Sequence, residues 1–151
     1  MKSKVVSGNA EQRTIVVVLE TDEEAFATLT LFANAAGISA ASLTAIGAFE
    51  NAVIGWFDIA TKSYRKIRVD EQCEVLSALG DIAIGDDGKA SLHVHVVLGL
   101  SDGSTRGGHL LEGKVRPTLE VVLEEASTAL RRRKRPELGI ALIDLDAGTK
   151  A

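Results

Sequence analysis

The chain has 151 residues, 46% of them hydrophobic but only 4% aromatic, and a formal net charge of −4. That length suits one domain with a continuous core, built from Val, Leu, Ile and Ala rather than from large rings. The acidic balance argues against broad attraction to nucleic acid, no stretch nears the roughly 20 apolar residues of a membrane span, and the single cysteine, Cys73, cannot close an internal disulfide. Because no basic-then-apolar segment of the secretory kind opens the chain, a cytoplasmic location is expected.

Residues 1–9 are polar and expected to be a flexible terminus, as are residues 147–151, leaving 10–146 as the single domain. The β-branched run at 13–19 reads as a buried strand. At Thr21 a capping residue stands three positions before Glu24, and Phe26, Leu29, Leu31 and Phe32 follow at near-helical spacing until Gly37. This pattern predicts a helix of about three to four turns. Short β-type runs come next, at 40–49, 52–57, 64–69, 74–83 and 90–98, separated by Gly, Asp and Asn. Their short connections imply an antiparallel sheet. Residues 101–104 form a turn, and 108–115 returns as the partner strand of a hairpin. Pro117 and Thr118 then open a predicted second helix, with Leu119, Val122, Leu123, Ala126 and Leu130 on one face, ending in the basic run 131–135. A short strand at 140–145 closes the pattern. Strands gathered between two helices give an α+β fold class.

The three histidines of the chain fall within this hairpin. Alternation along 91–98 sends His93 and His95 to one strand face and Leu92, Val94, Val96 and Leu98 to the other. A turn at Asp102 and Gly103 places His109 opposite His95 or Val97, so all three imidazoles can meet. Neutral imidazole is a zinc ligand, and three protein ligands with one open position is the arrangement of catalytic zinc. The open position would hold an acidified water or polarise a carbonyl. Gly107 and Gly108 would admit a close approach of backbone or ligand. The alternative is a set of histidines on a half-buried face that satisfy one another without a metal.

Other residues carry paired readings. The run 131–135 could contact phosphates or form a solvated helix end that complements the helix dipole. Cys73 fits a small core residue better than a nucleophile. Glu112, three residues after His109, could act as a general acid or base, although alternation sends it to the opposite face unless a bulge re-aims it. Arg106 could hold an anion or simply sit in an exposed ion pair. Of the adjacent Trp56 and Phe57, one should face the core and the other an interface or solvent.

The segment from His93 to Gly113, ending in Gly107-Gly-His-Leu-Leu-Glu-Gly113, resembles the signature of the PPC domain, the plant and prokaryote conserved domain also called DUF296. The stretch Cys73-Glu-Val-Leu-Ser-Ala-Leu-Gly80 is similar to the family's strand motif, and 118–123 and 142–145 to its helix and closing strand. The resemblance implies an antiparallel sheet flanked by helices and assembled as a homotrimer. Prokaryotic members are often called DNA-binding, and in plants the domain follows an AT-hook with an Arg-Gly-Arg-Pro core. Here Arg133-Lys-Arg-Pro136 places lysine where the hook has glycine, so the hook is not matched. Many prokaryotic members resemble this chain in having the histidines, and the fold is similar to that of acetolactate decarboxylase, whose zinc is held by three histidines. Three functions follow as expectations: a trimer with zinc at His93, His95 and His109; a DNA-associated or regulatory interaction module; and a zinc-dependent hydrolase or decarboxylase acting on a small carboxylate or ester.

Overall fold

The computed structural model describes residues 1–9 and 12–146. Strand β1 (Lys2–Gly8) pairs with β2 (Arg13–Glu20), helix α1 (Ala25–Ala35) follows, and the long β3 (Ala40–Asp58) turns back through β4 (Ser63–Val69). Then come β5 (Cys73–Ile84), β6 (Ala90–Gly99), the long β7 (Thr105–Glu125), and a short pair, β8 (Arg132–Arg135) and β9 (Ile140–Ile143). Seven strands make one antiparallel sheet in the order β1-β2-β7-β6-β5-β3-β4, and β7 also pairs with β3. That extra pairing closes β3, β5, β6 and β7 into a barrel-like ring, which leaves few free strand edges.

The core follows from strand alternation. Ile15, Val17 and Leu19 on β2, Leu92, Val94, Val96 and Leu98 on β6, and Leu119, Val121 and Leu123 on β7 are all buried, at every second position. Burying each such side chain contributes about 1.5–3 kcal/mol. Helix α1 lays Ala25, Leu29 and Ala33, spaced one turn apart, against this cluster. With aromatics scarce, the fully buried Phe49 is the largest side chain of the core.

Several expectations change. The second helix does not form: residues 117–125 continue β7, paired with β2 on one side and β3 on the other. The period-two set Leu119, Val121 and Leu123, with Glu120 and Glu124 outward, prevails over the 3.6-period set because both flanks find ladder partners. The basic run consequently lies at β8 rather than at a helix end, and the predicted last strand pairs with it as β9, outside the main sheet. Residues 2–8, expected to be a flexible terminus, form the edge strand β1, and the Met1 amine ion-pairs with Glu20 and Glu23. Residues 147–151 lie outside those described. The first helix starts later than expected. Glu24, not Thr21, caps it by accepting from the amides of Phe26 and Ala27, while the Thr21 hydroxyl donates to the Pro117 carbonyl. The runs at 40–49 and 52–57 fuse into β3 through register shifts near Gly47 and Phe49. No helix among the described residues is long and apolar enough to cross a membrane.

One ion pair fastens the start of β2 to the end of β7. Arg13 Nε and Nη2 each donate to the Glu125 carboxylate at 2.6 Å, the Arg13 amide adds a third bond at 3.0 Å, and the Glu125 side chain is 9% exposed. Hydrogen bonding to Arg13 holds the Glu125 carboxyl below the usual range for glutamate. A group with a depressed folded-state pKa stabilises the fold above its unfolded value and ceases to do so as pH falls through its folded value. Glu125→Gln is therefore expected to lower stability at pH 7 by about 1–3 kcal/mol. In denaturant titrations the gap between variant and wild type should close once the pH drops below the ordinary glutamate range.

Candidate metal centre

Strand β6 carries His93 and His95 on its outer face, opposite its core residues, and the β6–β7 register sets His95 directly across from His109. The three imidazoles converge. Their ring centroids lie 5.0 Å (His93 and His95), 5.1 Å (His93 and His109) and 5.5 Å (His95 and His109) apart. One nitrogen from each falls within 4.8 Å of the others. The Nε2 atoms of His93 and His95 are 3.1 Å apart, close to the roughly 3.3 Å expected of two nitrogens on one tetrahedral zinc. His109 is the most enclosed, and its buried Nδ1 has no hydrogen-bond partner. An orphaned buried nitrogen is the kind of group that a bound ion or ligand satisfies. The donor set and its convergence thus fit a divalent metal.

Burial, then the neighbouring His93 and His95, then Arg132 push His109 down to about 4. Burial, followed by the charges of Arg132 and His95, also lowers His93. At neutral pH both rings are unprotonated, the state in which imidazole coordinates metals.

The surroundings include groups that the sequence reading missed. Tyr64 of β4 stacks on His109, with ring centroids 4.8 Å apart. This is possible because Gly55, the partner of His109 on β3, has no side chain: a Cβ there would stand 2.7 Å from the Tyr64 ring. Asp81 of β5 lies opposite His93 in the β5–β6 register and reaches to 3.8 Å of its Nδ1. Arg132 of β8, only 4% exposed, ion-pairs with Asp81 and donates to the Ser91 carbonyl at 2.9 Å. A cavity of about 240 Å³, lined by Tyr64, His93, His109 and Arg132, opens against β9. Nothing short-range in the sequence links Tyr64, Asp81 and Arg132 to the histidines, because chain reversals more distant than the hairpin bring them in.

The other candidates lie elsewhere. Glu112 faces Lys66 at 3.8 Å and is exposed, so it does not join the histidines. Arg106 donates to the Arg68 carbonyl on the surface. Cys73 is buried, with its thiol pushed up by desolvation. Trp56 is exposed, with Arg65 over its ring, and Phe57 packs edge-on against Tyr64. Gly108 admits backbone: a Cβ there would meet the Gly55 carbonyl oxygen at 2.8 Å.

Fold and site together define a closed antiparallel sheet protein with a three-histidine cluster on its outer face. The chain belongs to the Plants and Prokaryotes Conserved (PCC) domain family, whose model matches residues 6–127. A plant- and prokaryote-conserved protein from Pyrococcus horikoshii is similar at 32% identity over 87% of this chain and 91% of that one, with a TM-score of 0.82. A metal-containing protein from Archaeoglobus fulgidus is similar at 32% identity over 95% of this chain and 99% of that one, with a TM-score of 0.79. A protein from Bacteroides thetaiotaomicron, provisionally named DNA-binding, is similar at 27% identity over 93% and 96% of the two chains, with a TM-score of 0.82. No curated protein matches the sequence.

Gly108→Ala should force β7 away from β3 beside His109. The expected cost is about 1–3 kcal/mol in denaturant unfolding, together with displaced His109 imidazole resonances in NMR spectra. An unchanged His109 environment would contradict the close backbone contact.

Proposed function

We propose that the protein is a metal-binding PCC-domain homotrimer that holds one zinc ion per chain on His93, His95 and His109. The observation that carries this reading is the convergence of three imidazoles, one nitrogen of each within 4.8 Å of the others, together with an unpartnered buried nitrogen on His109. The Archaeoglobus fulgidus relative, which contains metal, lends support. His93, His95 and His109 would hold the zinc through neutral imidazole nitrogens, and the ion would supply Lewis acidity for a water or a carbonyl. The protein's own groups define the rest: Tyr64 steadies His109 by stacking, and Asp81, held by Arg132, faces the outer nitrogen of His93. A single domain over residues 10–146, joined by β1, and a cytoplasmic location with Cys73 reduced complete the reading.

Support for a trimer comes from the outer sheet face. Ile46, Leu76, Leu79 and Val97 are 61%, 53%, 59% and 42% exposed, and Leu79 lies directly across from His95. Clustered apolar residues of this kind favour burial against a second copy. Ile46→Asp is expected to shift the chain toward monomer in light scattering coupled to size exclusion, and an unchanged mass would remove this surface as the interface.

Elemental analysis of untagged protein tests the metal. About one zinc per chain is expected, falling well below half in His95→Ala and in His109→Ala. Full occupancy in either variant would defeat the assignment.

A second reading, DNA association, draws on the name of the Bacteroides relative. It requires duplex binding that weakens steeply with salt and depends on the exposed cations Arg131 and Lys134. The absence of duplex retention at low salt would remove it.

A further inference from the structure

Three features of the cavity beside the histidines bear on what it accepts. Its walls are Tyr64, His93, His109 and Arg132 on the polar side, with Ile140 and Leu142 among the apolar residues, and no Asp or Glu lines it. Arg132 is the one buried charged residue among those described. Its Nη1 is used on Ser91 and one Nη2 hydrogen on Asp81, so of its five N–H groups Nε–H and one on Nη2 have no protein acceptor among the described residues.

The charge count points the same way. Asp81 neutralises Arg132 once, and three imidazoles contribute no negative charge, so a divalent ion on them would keep both of its positive charges. Any occupant then meets a net positive wall with spare guanidinium donors, an arrangement suited to the two oxygens of a carboxylate. About 240 Å³ holds roughly eight water-sized groups at about 30 Å³ each. The apolar side formed by Ile140 and Leu142 favours an organic anion with a short carbon body over inorganic phosphate.

We propose that this cavity is a binding site for a small carboxylate, with the carboxylate recognised by Arg132 and a further oxygen directed to the histidine-bound metal. The second anchor rests on the metal reading above; the first does not. The Arg132 contact belongs to the ligand, while Asp81 and Ser91 hold the guanidinium in place on its far edge. Strands β8 and β9 thereby gain a role beyond covering the sheet, since one supplies the cation and the other the apolar wall.

Calorimetric titration with glycolate, and with its neutral counterpart glycolamide, tests the site on the full-length protein before and after zinc loading. Zinc content is measured first in every sample. Zinc-loaded wild type should bind glycolate at least about tenfold more tightly than glycolamide or inorganic phosphate. Arg132→Met, compared with wild type at equal measured zinc content, should weaken glycolate by about tenfold or more. Because removing Arg132 leaves Asp81 unpaired, Arg132→Lys serves as the variant that keeps a cationic partner. It should fold and, at equal measured zinc content, bind glycolate several-fold more weakly than wild type. Normal zinc with glycolate affinity indifferent to both substitutions, or phosphate preferred to glycolate, would overturn the carboxylate site alone. A wild type that takes up no zinc would instead defeat the metal reading. In that case glycolate binding that still depends on Arg132 would uphold the anion site, and its absence would overturn that too.

Discussion

Strand β7 pairs with β2, β3 and β6 along its 21 residues, and this shared pairing sets both the barrel-like closure and the histidine cluster. The β6–β7 register puts His109 against His95, and the two-residue period of β6 brings His93 to the same face. A slip of one residue between these strands would turn His109 toward the core and bring Leu110 outward. Such a slip is opposed by the core itself, because Leu110, Val115, Leu119, Val121 and Leu123 of β7 are all buried in one continuous cluster. The position of the site is therefore held by aliphatic packing several residues away from it.

The scarcity of aromatic residues has a local consequence. Tyr64 is the only tyrosine of the chain, and it lies over Gly55 to reach His109. Its ring covers one side of the imidazole, while Phe57 meets it edge-on from the adjoining strand. Burial, to which the stacked ring contributes, is the leading physical cause of the lowered basicity of this most enclosed histidine.

Much of this was legible from the residues alone. The alternation around His93 and His95, the turn at Asp102 and Gly103, and the return at His109 are short-range features, and the hairpin they define is the one observed. The segment after Pro117 was harder, because Leu119, Val122, Leu123, Ala126 and Leu130 satisfy a helical period while Leu119, Val121 and Leu123 satisfy a strand period. The tie is broken by β2 and β3, whose free edges lie far away in sequence and cannot be seen in a local window. The same limit hid Asp81 and Arg132: they are 51 residues apart, and their meeting depends on where the last hairpin packs. Simple alternation failed for Glu112: the register shift at Leu111, where Val53 pairs with Glu112 and Ile54 with Leu110, turns its side chain out to Lys66 instead of to the core side with Leu110.

The basic run 131–135 shows how sequence clustering can mislead about electrostatics. As a helix end it would present five cations to solvent. In β8 alternation divides them, and acidic residues from two other parts of the chain answer three of them. Arg132 turns inward to Asp81, Arg133 and Arg135 both approach Asp144 at 3.4 and 3.7 Å, and the Lys134 amide donates to Asp86. The exposed pairs with Asp144 contribute little to stability, but they shorten the reach of the positive field outside the protein. Only the buried arginine keeps a concentrated charge, and low-dielectric surroundings strengthen its action over a few ångströms toward His93 and His109. The run therefore matters most at the histidine cavity, where one of its five side chains supplies the cation and the other four remain outside.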